Sequence, residues 1–213
     1  MKSLTQKEII EYLYQCYVKV DGLWFLKVEE QFGFYKALEI DKEVWKIVPK
    51  IQARFLKSKL NGGFSAKKNK LNDSYQDDNY KVKDNSNINL INNSNVYIES
   101  RDKNKGKYMD TENIGKKTII KTFLKALNIK LKLDGFKFSI SKNKDLVAVK
   151  ITECPWHNIL IRSKRGHLSE KIGSIICRTE YSVFASEFEP EIKLDLSTQI
   201  CKNDECCNFN WTI

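Results

Sequence analysis

No stretch of this chain approaches the roughly 20 consecutive apolar residues that a membrane-spanning helix needs, so no membrane span is expected. The first residues, Met1-Lys2-Ser3-Leu4-Thr5-Gln6-Lys7-Glu8, hold no apolar signal-peptide core. Export is therefore not expected, and a cytoplasmic, reducing setting is. Also missing are a serine-centred nucleophile elbow, a phosphate-cradling glycine loop and a dinucleotide fingerprint. Gly62-Gly63 has no helical pattern behind it to offer an anion-binding terminus. ATP and NAD chemistry fall away with these motifs. Histidine is scarce, with His157 and His167 the only two.

What is present is ordinary for a globular protein: 213 residues, 41% hydrophobic and 30% charged. That length suits one domain carrying an insertion. The formal charge of +10 invites a nucleic-acid reading, but the excess is spread thinly. Residues 1–60 carry 11 basic and 8 acidic side chains, residues 61–116 carry 10 and 8, and residues 117–213 carry 16 and 11. The densest cluster, Arg162, Lys164 and Arg165, lacks the interleaved aromatics of a single-strand binding platform. Nucleic acid is not an expected partner.

Residues 1–60 read as helices. Thr5 and Glu8 fit a capping box, and Ile9, Leu13, Cys16, Tyr17 and Val20 follow at helical spacing, which reads Cys16 as core. Asp21-Gly22 suggests a break, with Asp21 capping a second helix that runs toward Gly33. Asp41 reads as the cap of a third helix, which Pro49 should kink or split. Residues 61–116 change character, with runs such as Asp84-Asn85-Ser86-Asn87-Ile88-Asn89 and too few apolar side chains to offset ordering entropy. They read as a disordered insertion. Residues 117–213 resume order and form one domain with residues 1–60. Ile119 to Leu127 reads as a helix, then Phe136 to Ile140 and Leu146 to Ile151 as a β-hairpin. Two helices over residues 168–176 and 179–188 and two further strands complete an α+β plan of helices with a small antiparallel sheet.

The chemistry concentrates in cysteine. Five of six, Cys154, Cys177, Cys201, Cys206 and Cys207, lie in the last 60 residues, and Cys154 stands in Glu153-Cys154-Pro155-Trp156-His157. Cys154 follows a strand, Cys177 opens a helix, Cys201 follows a strand and Cys207 begins the last one. Four thiolates from element ends could close a tetrahedral shell around zinc or hold an iron–sulfur cluster. His157, three residues after Cys154, is a further ligand candidate. Alternation places Cys206 on the face opposite Cys207. Against this, cysteine is often simply a small buried apolar residue, and the spacings lack paired knuckles. Glu29-Glu30 beside Trp24 is a lesser candidate: a buried carboxylate would serve as general base, whereas two solvated glutamates would face Lys27 and Lys36.

Cys177-Arg178-Thr179-Glu180-Tyr181-Ser182-Val183-Phe184-Ala185, Pro190-Glu191-Ile192-Lys193 and the final Cys207-Asn208-Phe209-Asn210-Trp211 resemble an uncharacterised family of archaeal and bacterial cytosolic proteins. Asp21-Gly22-Leu23-Trp24-Phe25 and Val28-Glu29-Glu30-Gln31-Phe32-Gly33 look like the other half of that pattern. More distantly, the order hairpin, Cys-Pro, helices, Cys…Asp…Cys-x-Phe is similar to 4-vinyl reductase type sensor domains and to the L-2-amino-thiazoline-4-carboxylate hydrolase-like group. Their Gly-Asp-x-x-Cys-x-Phe motif becomes Asn203-Asp204-Glu205-Cys206-Cys207-Asn208-Phe209 here, with asparagine keeping a residue tolerant of left-handed backbone.

Three functions follow as expectations. The first is a metal- or small-molecule-binding protein whose site is Cys154, Cys177, Cys201 and Cys207, with His157 as substitute ligand and zinc or an iron–sulfur cluster as cofactor. The second, implied by the resemblance, is a thiol- or metal-assisted hydrolase of a small sulfur- or nitrogen-containing acid. Cys177 or Cys154 would be its nucleophile, and Arg162, Arg165 or Arg178 would bind the substrate carboxylate. The third is a ligand-sensing module with a pocket lined by Trp24, Phe25, Phe32, Trp45 and Phe136. A homodimer is compatible with all three.

Overall fold

The computed structural model describes residues 3–61, 111–143 and 146–212, with the side chains of 111–116 left out. The Asn/Lys-rich tract read as a disordered insertion lies outside the described residues, except at its end, where a helix already begins at Thr111. The chain forms an α+β domain. Its helices are α1 (Gln6–Phe32), α2 (Phe34–Val44), α3 (Val48–Leu60), α4 (Thr111–Leu133), α5 (Pro155–Arg162) and α6 (Ser169–Ser186). Its strands, β1 (Lys137–Asn143), β2 (Leu146–Glu153), β3 (Lys193–Thr198) and β4 (Cys207–Thr212), pair in the order β1-β2-β4-β3, antiparallel throughout. Among the described residues no helix is long and apolar enough to cross a membrane.

Strict alternation builds the sheet's inner face. Val147, Val149 and Ile151 of β2 lie opposite Trp211, Phe209 and Cys207 of β4, and all six are buried. Onto this face pack Phe123, Leu127 and Leu131 of α4 and Tyr181 and Phe184 of α6, which recur at helical spacing. Aromatic edges lock the layers: Tyr181 stands 4.9 Å from Phe209 and Phe123 5.8 Å from Trp211, both edge-to-face. A smaller core of Leu38, Trp45 and Ile176 ties α2 to α6.

Five local expectations fail. α1 runs straight through Asp21-Gly22, because one interior glycine costs only about 1 kcal/mol relative to alanine. It ends at Gly33, whose φ of 82° is open to glycine and whose N–H caps the Glu29 carbonyl. Asp41 lies inside α2 and caps nothing. Pro49 sits in the first turn of α3, where its missing N–H has no helical partner to lose, so it starts a helix rather than bending one. The pair expected across residues 168–188 is the single helix α6, since no glycine or proline separates its halves; Cys177 is therefore mid-helix and does not open one. The Thr5–Glu8 capping box is present, and Asn203 does take left-handed backbone, at φ 68°. Cys16, expected in the core, is only half-buried on a helix that buries no side chain.

Candidate functional site

Two groups of ionisable side chains meet along α6. The first is the cysteine set. Cys154 caps α5 after β2, Cys201 lies in a short turn after β3, and Cys207 opens β4, so antiparallel pairing brings all three to one end of the sheet. Cys177 reaches them from α6. Gly173, one turn earlier, is the contact point: a Cβ there would lie 2.6 Å from Cys201 Sγ and 4.0 Å from Cys177 Sγ. The Cys207 sulfur accepts the Ile200 N–H at 3.2 Å, and the Cys154 sulfur accepts the His157 N–H at 3.5 Å.

Burial holds these thiols in their neutral form. It pushes Cys154 up to about 12, partly offset by the His157 N–H, with Cys207 and Cys201 adding repulsion. Burial also raises Cys201 to about 11, Cys177 well above its ordinary value, and Cys207 in the same direction. The His157 ring is held by Ser169: its Nδ1 lies 2.7 Å from the hydroxyl of that buried residue. Among the described residues, no group of three or more His, Cys, Asp or Glu side chains is arranged to hold a metal ion. Among the described residues, the geometry thus gives no support to the expected zinc or iron–sulfur shell of Cys154, Cys177, Cys201, Cys207 and His157.

Gly173→Ala is expected to destabilise the fold by about 1–2 kcal/mol, since an added methyl must displace the Cys201 side chain from a filled contact. Adding Cys201→Ala should restore most of the loss in thermal melts. Additive losses would mean that the contact is not the cause.

The second group centres on Glu180. Lys130 Nζ lies 2.7 Å from Glu180 Oε1 and 2.7 Å from Asp134 Oδ2, with Lys130 and Glu180 almost wholly buried. Asp134, just past the end of α4, lies four residues after Lys130, and the Lys130 ammonium sits 5.6 Å from the Tyr181 ring centre. Burial alone would depress Lys130, but the two carboxylates outweigh it and hold the ammonium charged. Burial pushes Glu180 up against the pull of Lys130. α1 and α2 supply further groups: Tyr17, raised to about 12 mainly by burial, also feels the fields of Asp134, Asp21 and Glu180. Asp41 is pushed up to about 7 by burial and by Asp21, and only partly lowered by the hydrogen bond from Trp45.

Tyr181 connects the two groups. Its hydroxyl is buried with no hydrogen-bond partner among the described residues, and it feels Glu180 and Asp134 on one side and Cys177 and Cys154 on the other. A buried hydroxyl without a partner costs roughly 1–3 kcal/mol.

The sequence points to the cysteines and gives little notice of this second group. Its readable signal is a charge on an apolar stripe: Lys130 among Phe123, Leu127 and Leu131, and Glu180 among Ile176, Tyr181 and Phe184. Of the arginines, Arg165 is committed to Glu29, while Arg162 and Arg178 stand exposed on α5 and α6. Glu30 pairs with Lys27 at the surface as expected, whereas Glu29 is half-buried against Arg165. The five aromatics expected to line a pocket do not enclose one together: Trp24 and Phe32 are exposed, Phe25 and Trp45 belong to the small core, and Phe136 lines an open groove beside β1 with Phe138, Ile140, Asn128, Lys132 and Lys137.

The family model for L-2-amino-thiazoline-4-carboxylic acid hydrolase matches residues 94–211, more than half of the chain, and the chain belongs to that family. A second model, for a family of unknown function (DUF6125), matches residues 2–106. No curated protein and no solved structure matches the chain. The hydrolase resemblance therefore holds, and nothing in these matches supports the sensor-domain one. The group around Glu180 draws on both matched regions, Asp21 and Asp41 from residues 2–106 and Lys130, Asp134 and Glu180 from residues 94–211.

Proposed function

We propose that this protein is a hydrolase of a small sulfur- and nitrogen-containing acid, of the kind named for its family, and that a buried carboxylate rather than a thiolate activates the water. The observation that carries this reading is the buried Lys130–Glu180 pair between α4 and α6, with Asp41 of α2 in the field of Glu180 and the unpaired Tyr181 hydroxyl also feeling Glu180. A general base works best with a pKa close to the working pH, and Asp41 near 7 meets that condition. The thiols fail the corresponding test, since a nucleophilic cysteine needs a depressed pKa and all four are raised.

In a 2-amino-thiazoline the ring carbon is bonded to sulfur and two nitrogens. Water oxygen bonds to that carbon as Asp41 takes one water proton, the C=N electron pair moves onto nitrogen, and Asp41 passes that proton to it. The adduct's hydroxyl then gives its remaining proton to Asp41 as its C=O bond forms and the C–S bond breaks, the pair leaves on sulfur, and Asp41 passes this second proton to it. Tyr181 would donate to the charge that develops, the kind of contact that stabilises a transition state more than a ground state. Arg178 or Arg162 would hold the substrate carboxylate, because Arg165 is already paired.

The test is direct. The purified full chain incubated with L-2-amino-thiazoline-4-carboxylate should give a product heavier by one water in mass spectrometry. Asp41→Asn should lower kcat by roughly 10²–10⁴-fold, Arg178→Ala should act mainly on KM, and Cys177→Ser should stay within a few-fold of wild type. Abolished turnover in Cys177→Ser with Asp41→Asn intact would return the chemistry to the thiol. No turnover of this acid or of related cyclic amidine acids would sink the substrate class.

A further inference from the structure

α1 is 27 residues long and buries none of them, yet it is rich in large apolar side chains. The helix has two faces. One turns to the body, where Phe25 joins the small core, Glu29 pairs with Arg165, and Asp21 and Tyr17 approach the Glu180 group. The other carries Ile9, Leu13, Cys16, Val20 and Leu23, separated by alternate steps of four and three, with Tyr12 and Trp24 alongside. Leu13 is 59% exposed, Val20 65%, Leu23 55%, Tyr12 64% and Trp24 63%, with Ile9 also exposed.

A mean step of 3.5 residues is the seam of a coiled coil, which keeps one stripe facing a partner helix of the same period. Scattered exposed hydrophobics need no explanation, but a contiguous stripe along one helix does. These six side chains, each at least 44% exposed, make one apolar strip along the helix.

We propose that this face pairs with a second copy of the chain, α1 against α1, antiparallel about Cys16. A second copy supplies the one surface certain to share the seam's period, and a two-fold contact closes without leaving the seam open. Charge selects the direction. Lys27 occupies the next seam position after Leu23, so a parallel in-register pair would set it against its own copy. The antiparallel pair instead carries Lys27 away from its own copy, to the first turn of the other helix, where Glu8 stands exposed beside Lys7. Ile9 of one copy then faces Leu23 of the other, and the two Cys16 thiols meet at the centre.

Light scattering on the full chain at tens of micromolar should return twice the chain mass. Leu13→Glu and Val20→Glu should each weaken the dimer at least 100-fold while leaving circular dichroism unchanged, because neither side chain is buried in the protomer. A short bismaleimide should link two chains through Cys16 and fail in Cys16→Ser. In that background, Ile9→Cys mixed with Leu23→Cys should link, and Ile9→Cys alone should not. A monomeric wild type, a dimer indifferent to both charged variants, or linking of Ile9→Cys to itself would each overturn the proposal.

Discussion

Lys130→Met is expected to destabilise the protein by about 3–5 kcal/mol, the largest single-residue loss we foresee outside the aromatic core. The substitution keeps the apolar stem and removes only the ammonium, stranding two carboxylates. Glu180 is almost wholly buried, Asp134 nearly so, and each would lose its charge partner at 2.7 Å. Breaking a buried pair from one side leaves an uncompensated charge, whereas removing both partners is far less costly. Lys130→Met combined with Glu180→Gln should therefore recover a large share of the loss, and urea unfolding of the four chains in that cycle measures it. Strict additivity would show that Glu180 does not depend on Lys130. The double variant should fold yet hydrolyse poorly if the reading of the site holds, which separates stability from chemistry.

The same residues show where sequence reasoning succeeds and where it stops. Alternation in Val147, Val149 and Ile151 and in Cys207, Phe209 and Trp211 makes the inner sheet face legible, because a two-residue period is a local property. The Thr5–Glu8 cap is legible for the same reason. The helix boundaries are not: Gly22 and Pro49 are punctuators whose meaning depends on position within a turn, and neither interrupts a helix here. The site is half legible. Cysteine attracts attention through its chemistry, and four of the six do gather at one end of the sheet. The meeting of Asp21, Asp41, Lys130, Asp134 and Glu180 from four helices is a long-range outcome of packing that no spacing encodes. A charge lodged in an apolar stripe, at Lys130 and Glu180, is the one local clue.

Between pH 5 and pH 8 the stability of this protein is expected to fall, opposite to the rise that paired carboxylates usually give. Asp41 is pushed up from its ordinary 3.8 to about 7, with burial the main cause. In that window the folded state holds a proton on Asp41 that the unfolded chain has already released. Stability rises with pH only where the unfolded state binds more protons; here the folded state binds more, so stability drops as pH climbs through the interval. The raised values of Asp21 and Glu180 act in the same direction. A tenfold difference in proton affinity between the two states corresponds to about 1.4 kcal/mol, which sets a ceiling near ~4 kcal/mol for Asp41, and its partial contact with solvent reduces that to ~2. Asp41→Asn keeps an acceptor for the Trp45 indole and removes the charge. It should flatten most of the slope and exceed wild-type stability above pH 7, while abolishing turnover. Urea midpoints at pH 5, 6, 7 and 8 decide the matter. A wild-type stability that rises across this range, or an Asp41→Asn slope equal to that of wild type, would remove Asp41 from the role of buried base, because a carboxylate fully ionised at pH 5 has no proton affinity near neutrality to lend to catalysis.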